Sequence, residues 1–86
     1  MTERSLQITY RKGRPFAAYL YLSRMSGVKT AKTEATQDRL LVIDYAADGR
    51  PIGIEIVAPD TVTVDRLNAL LEALGQAPLA AKELSL

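Results

Sequence analysis

An Asp48-Gly49 pair set between two apolar runs constrains this chain more than any other feature. Glycine enters the positive-φ region that tight hairpin turns demand, so Ala46-Ala47-Asp48-Gly49 is expected to join a strand at Leu40–Tyr45 to one at Pro51–Val57. Burial then sets the register. An odd sum of paired residue numbers puts Leu41, Ile43, Tyr45, Ile52, Ile54 and Ile56 on one face, and Leu40, Val42, Asp44, Gly53, Glu55 and Val57 on the other. An even sum puts Asp44 among the isoleucines and is rejected. Pro51 has no N–H for a ladder and can only begin its strand.

Three further strands precede this hairpin. Leu6, Ile8 and Tyr10 alternate with Gln7 and Thr9, the period of a half-buried strand. The polar stretch Arg11-Lys12-Gly13-Arg14-Pro15 reads as a turn. In Phe16 to Ser23, Ala18, Leu20 and Leu22 share one face and Ala17, Tyr19 and Tyr21 the other, a strand covered on both sides. Ser26-Gly27 marks a turn, and Lys29 to Thr36 reads as a charged strand near an edge, where Lys32 and Glu34 discourage stray pairing. The period changes after Asp60. Val64, Leu67, Leu70, Leu71 and Leu74 line one face of a helix, with Thr63 as N-cap, Asp65 in the first turn and Gly75 as the stop. Pro78 to Leu86 suggests a short second helix. The fold class expected is α+β: an antiparallel β-meander of about five strands with a C-terminal α-helix packed on one face. Eighty-six residues allow one domain, 1–86, its meander in 1–58 and its helical tail in 61–86.

Composition removes most catalytic chemistry. There is no cysteine and no histidine, which excludes disulfides, thiolate nucleophiles, histidine bases and nearly every zinc site. No enzyme activity, metal or cofactor is expected. The N-terminus lacks a signal-peptide core, and the longest apolar run, Phe16 to Leu22, is far short of the roughly 20 residues that span a bilayer, so a cytoplasmic protein with no membrane association is expected. The net charge of +1 hides an asymmetry. Residues 1–33 hold seven basic side chains against Glu3, a net of +6, whereas residues 34–86 hold four against nine carboxylates, a net of −5. Such a chain can recognise an acidic partner or nucleic acid, pair with itself, or neutralise its halves within one sheet.

The hairpin Asp44-Tyr45-Ala46-Ala47-Asp48-Gly49-Arg50-Pro51-Ile52-Gly53-Ile54-Glu55-Ile56 resembles the signature of a small bacterial family, domain of unknown function 2283, which tends to read D-Y-D-x-x-G-x-x-V-G-I-E-I. Ala17-Ala18-Tyr19-Leu20-Tyr21-Leu22-Ser23 is similar to its A-L-Y-I-x-L-S strand, and Lys29 to Ala35 follows its polar third strand more loosely. The resemblance covers about residues 6–58. Two departures stand out. The family's acidic Y-D-x-x-x-D stretch is replaced by Tyr10-Arg11-Lys12-Gly13-Arg14, with the sign reversed, and the second aspartate of D-Y-D is Ala46. The resemblance implies a small meander domain without an established activity, in an antitoxin-like or accessory binding role.

Two groups of residues are the candidate sites. Arg11, Lys12 and Arg14 form a basic tip flanked by Tyr10 and Phe16, and cations interleaved with rings hold phosphates and stack bases; together with Tyr19 and Tyr21, a stacking surface on one strand face, the three cations are the candidate contacts for a partner or for nucleic acid. Asp44, Tyr45, Gly49, Gly53 and Glu55 form a motif of unknown role, in which Asp44 and Glu55 share a face as paired carboxylates. Gly53 stands mid-strand, where glycine costs stability, so close packing of the helix, a ligand or a bulge is expected there. The functional expectation is a non-enzymatic protein-interaction module. Its partners are a second copy through the sheet face or helix, or another small protein through the Lys29–Thr36 edge or the helix, with nucleic-acid binding by the basic tip as the alternative.

Overall fold

Two tight turns organise the sheet in the computed structural model, which describes residues 4–22 and 29–80. At the first, Lys12 (φ 53°) and Gly13 (φ 77°) are both left-handed, the geometry of a type I′ hairpin turn. The turn is therefore two residues long, not the expected five, and strand β1 (Ser5–Arg11) pairs with β2 (Arg14–Tyr21) up to Arg11↔Arg14. Register shifts beyond Thr9↔Ala17 to Tyr10↔Pro15, leaving Phe16 as the extra residue of a bulge. At the second turn Gly49 has φ +88°, its N–H donates to the Ala46 carbonyl, and the Asp48 carboxylate accepts from the Arg50 N–H.

That second turn joins β4 (Leu41–Tyr45) to β5 (Pro51–Ile56), with β3 (Lys32–Ala35) on the far side of β4. The β4–β5 register is the odd one: Leu41↔Ile56, Val42↔Glu55, Ile43↔Ile54 and Asp44↔Gly53. It slips by one at Tyr45↔Pro51, where Pro51 begins its strand. The sheet is antiparallel throughout, in the order β1-β2-β5-β4-β3. Two runs of consecutive strands, β1-β2 and β3-β4-β5, are thus joined by the β2–β5 pair. Strand β3 is an edge of four exposed residues, shorter than Lys29–Thr36, with Lys32 and Glu34 in an ion pair at 3.5 Å.

Helix α1 (Val64–Ala73) packs on one face of this sheet. The Thr63 hydroxyl accepts from the Arg66 N–H at 3.1 Å, and Asp65 lies in the first turn. At the other end Gly75 (φ +76°) donates to Glu72 and Gln76 donates to Leu71, a Schellman closure. Leu20, Leu41, Ile54 and Leu71 are fully buried, and Ala18, Leu22, Ile43, Ile56 and Leu67 complete the core. Leu70, Leu74 and Leu79 pack against it, whereas Val64 is 42% exposed at the rim of the face it was expected to share. Pro78 to Ala80 are not helical, and the rest of the expected second helix (81–86) lies outside the described residues, as does the Ser26-Gly27 turn.

Asp38 ties the β3–β4 turn to the helix. Its carboxylate accepts from the Thr36 hydroxyl, the Leu40 N–H and the Arg66 guanidinium, the last as an ion pair at 2.6 Å. These donors, the Arg66 side chain first, hold the Asp38 carboxyl well below the usual carboxylate range.

Candidate functional site

Alternation along the strands leaves Ala17, Tyr19, Tyr21, Val42, Asp44, Gly53 and Glu55 on the sheet face opposite α1, joined by the pairs Tyr19↔Glu55, Tyr21↔Gly53, Val42↔Glu55 and Asp44↔Gly53. No described element packs over this face. At its centre the Tyr19 ring crosses from β2 over β5, and its hydroxyl donates to Asp44 Oδ2 on β4 at 2.6 Å. The Thr33 hydroxyl of β3 donates to Asp44 Oδ1 at 2.9 Å. One aspartate therefore links four strands, β5 being the one crossed.

The crossing explains Gly53. A Cβ at this position would lie 2.5 Å from both Cε1 and Cζ of Tyr19, and closer still to its hydroxyl oxygen. Any larger residue must displace the ring. The close approach expected at Gly53 is real, but it comes from Tyr19 on the outer face and not from the helix, because Gly53 points away from α1. The ring is held on its other side by Tyr21, at 4.7 Å between centroids and 55° between planes. Burial, the hydrogen bond to Asp44 and the negative charge of Asp44 all push the Tyr19 phenol well above its ordinary range. At neutral pH it is a fixed donor. Asp44 and Glu55 share the face as read from the sequence, but the two Asp44 oxygens are engaged by hydroxyls and Glu55 is exposed two residues out of register.

The other motif residues lie elsewhere. Tyr45 is half-buried against the core, with the Lys32 ammonium 5.6 Å from its ring centroid, and burial followed by the neighbouring Glu34 raises its phenol. Gly49 serves the turn. Among the described residues no group of three or more carboxylates is placed to hold a metal ion.

The basic residues form a second, separate feature at the β1–β2 tip. Arg11, Lys12 and Arg14 are exposed and make no ion pair among the described residues. The Arg11 guanidinium lies 5.3 Å from the Phe16 ring centroid. Phe16 and Tyr10 are 53% and 58% exposed, the two most exposed large apolar side chains described. Sequence reading places the two rings beside the tip as flanking residues but does not count them as contacts. The signal is their adjacency to Arg11 and Pro15.

Helix α1 on one face, an aromatic face that no described element covers on the other and a tyrosine–glycine–aspartate clasp across it define a small two-layer α+β domain. Residues 17–58 match the family model described as "Protein of unknown function (DUF2283)", and this segment of the chain belongs to that family. The match holds Tyr19, Asp44 and Gly53 together, and it starts at Ala17, so β1 and the basic tip lie before it. No curated protein matches the chain, and no solved structure does. No described helix is long and apolar enough to cross a membrane.

Proposed function

We propose that this protein is a non-enzymatic interaction module, antitoxin-like or accessory in kind, that binds a basic partner protein on the outer face of its sheet. The observation that carries this reading is the half-buried Tyr19–Tyr21 surface held by Asp44. Its rings are half-buried and immobilised before any partner arrives, which lowers the entropy lost on docking. Tyrosines surrounded by Gln7, Thr9, Thr33 and Glu55 have the arrangement of an interface centre with a polar rim. Charge selects the partner. The centre of the face carries Asp44 and Glu55, and the cations its described strand positions hold, Arg11 and Arg14, lie at the far β1–β2 tip beyond Thr9, so a second copy stacked centre to centre opposes like charges, whereas a lysine or arginine meets Glu55. Leu67 and Leu71 of the helix are buried against its own sheet, which favours the sheet face over the helix for the partner.

Capture from nuclease-treated native lysate, comparing wild type with Glu55→Arg and Tyr21→Arg, tests the reading. A basic protein recovered in near-stoichiometric amount by wild type and lost from both variants supports it. Recovery unchanged by the variants overturns it. A dimer in light scattering that Tyr21→Arg dissolves replaces the basic partner with a second copy.

A further inference from the structure

The β1–β2 tip is independent of that face and has its own chemistry. We infer that it is a binding site for single-stranded nucleic acid, with Arg11, Lys12 and Arg14 on phosphates and the rings of Tyr10 and Phe16 under bases. Three cations within four residues make no ion pair among the described residues, so their field is not neutralised by those neighbours. Two large rings stand more than half exposed beside them. The Arg11 guanidinium lies over the Phe16 ring, 5.3 Å from its centroid, yet the ring remains more than half exposed. The Lys12-Gly13 turn, left-handed at both residues, fixes the tip, and the bulge at Phe16 takes that ring out of the β1–β2 pairing. Arg11, Lys12, Arg14, Pro15 and Phe16 enclose a shallow concavity of about 450 Å³.

The order of these groups selects the ligand. A loop that enters a bilayer leads with apolar side chains and keeps cations behind them at the headgroups. Here Lys12 and Gly13 form the apex, and Tyr10 and Phe16 sit behind it. An acidic peptide satisfies the cations and leaves the rings wet, and a duplex hides its base faces. A single strand supplies a phosphate and a stackable base together at each nucleotide.

Fluorescence anisotropy of a short labelled oligothymidylate tests this with the full chain. Three phosphate contacts predict a slope of about −2 in log affinity against log salt, a loss of about 20-fold between about 50 and 200 mM. The variant Arg11→Ala/Lys12→Asn/Arg14→Ala, with asparagine chosen to tolerate the left-handed turn, is expected to abolish binding and the slope together. Phe16→Leu is expected to weaken binding about tenfold while leaving the slope in place. Circular dichroism melts of each variant separate lost binding from lost fold. Absence of binding at about 50 µM protein in low salt overturns the inference, as does equal affinity for a duplex. Retention on phosphatidylglycerol vesicles or polyglutamate in place of the oligonucleotide overturns it too, and assigns the tip to a membrane surface or an acidic protein.

Discussion

Gly53→Ala is a small change whose outcome depends on one neighbour. With Cε1 and Cζ of Tyr19 at 2.5 Å from the new methyl, the ring must retreat by about an ångström to reach ordinary contact. That movement breaks the 2.6 Å bond to Asp44 and loosens the ring pair with Tyr21. A hydrogen bond to a charged acceptor contributes about 1.5–3 kcal/mol, taken at its lower end because this site is half exposed, and the ring pair adds about 0.5–1 kcal/mol. Against this loss of about 2–3 kcal/mol, alanine recovers about 0.5–1 kcal/mol of chain entropy. The net destabilisation is about 1–2 kcal/mol, a fall in Tm of about 5–15 °C for a domain of this size. Replacing the ring should invert the sign. In a Tyr19→Ala background the methyl meets no ring, and Gly53→Ala should stabilise by about 0.5–1 kcal/mol. Urea unfolding of the four proteins, followed by far-ultraviolet circular dichroism at neutral pH, measures the cycle, whose expected coupling is about 2–3 kcal/mol. Equal effects of Gly53→Ala in both backgrounds, or stabilisation of the wild type, would refute the clasp as the reason for this glycine.

Two other outcomes are open to direct measurement. Thr63→Ala removes the acceptor of the Arg66 N–H and should cost about 1 kcal/mol in the same unfolding assay, with Thr63→Ser close to wild type. The Asp38 carboxyl is held down by its donors, so its contribution is present above the ordinary aspartate pKa of about 3.9 and is lost as acidification passes toward its native value. A carbon-detected NMR titration should show Asp38 protonating at the acid end of the carboxylates, and Arg66→Ala should move its midpoint upward. An unchanged midpoint in Arg66→Ala removes the guanidinium as the main cause.

Features governed by neighbours along the chain are legible in the sequence itself. The β4–β5 register, the Thr63 cap, the Gly75 stop and the edge position of Lys32–Ala35 follow from turn chemistry, period and charge, which act over a few residues. The outer-face placement of Tyr19, Tyr21, Asp44 and Glu55 follows likewise from strand alternation. What sequence does not disclose is which distant strand lies beside which. Gly53 is expected to give room to the helix only because the β2–β5 pairing, which brings Tyr19 over it, joins segments with no shared turn. The two-residue turn at Lys12-Gly13 is hidden by the charges around it, since a non-glycine residue in the left-handed region leaves no compositional mark. Phe16 reads as the start of a regular strand, and only the slip from Thr9↔Ala17 to Tyr10↔Pro15 shows it to be a bulge.

The strand order also bears on how fast this chain folds. β1-β2 and β3-β4-β5 each close through short connections and need no help from the other, so their assembly is local and quick. Within the sheet, it is the seam between β2 and β5 that brings together strands remote along the chain, and it is there that Leu20 meets Ile54, both fully buried. The entropy of closing that long loop is spent before the seam returns any contact, so its closure is the expected rate-limiting event. Truncating Leu20 or Ile54 should therefore slow refolding in a stopped-flow chevron, while truncations at either hairpin tip chiefly hasten unfolding. A chevron with the reverse pattern would place the barrier within a hairpin. The Tyr19–Asp44 bond spans the same seam, a latch that can engage only after the two halves have met.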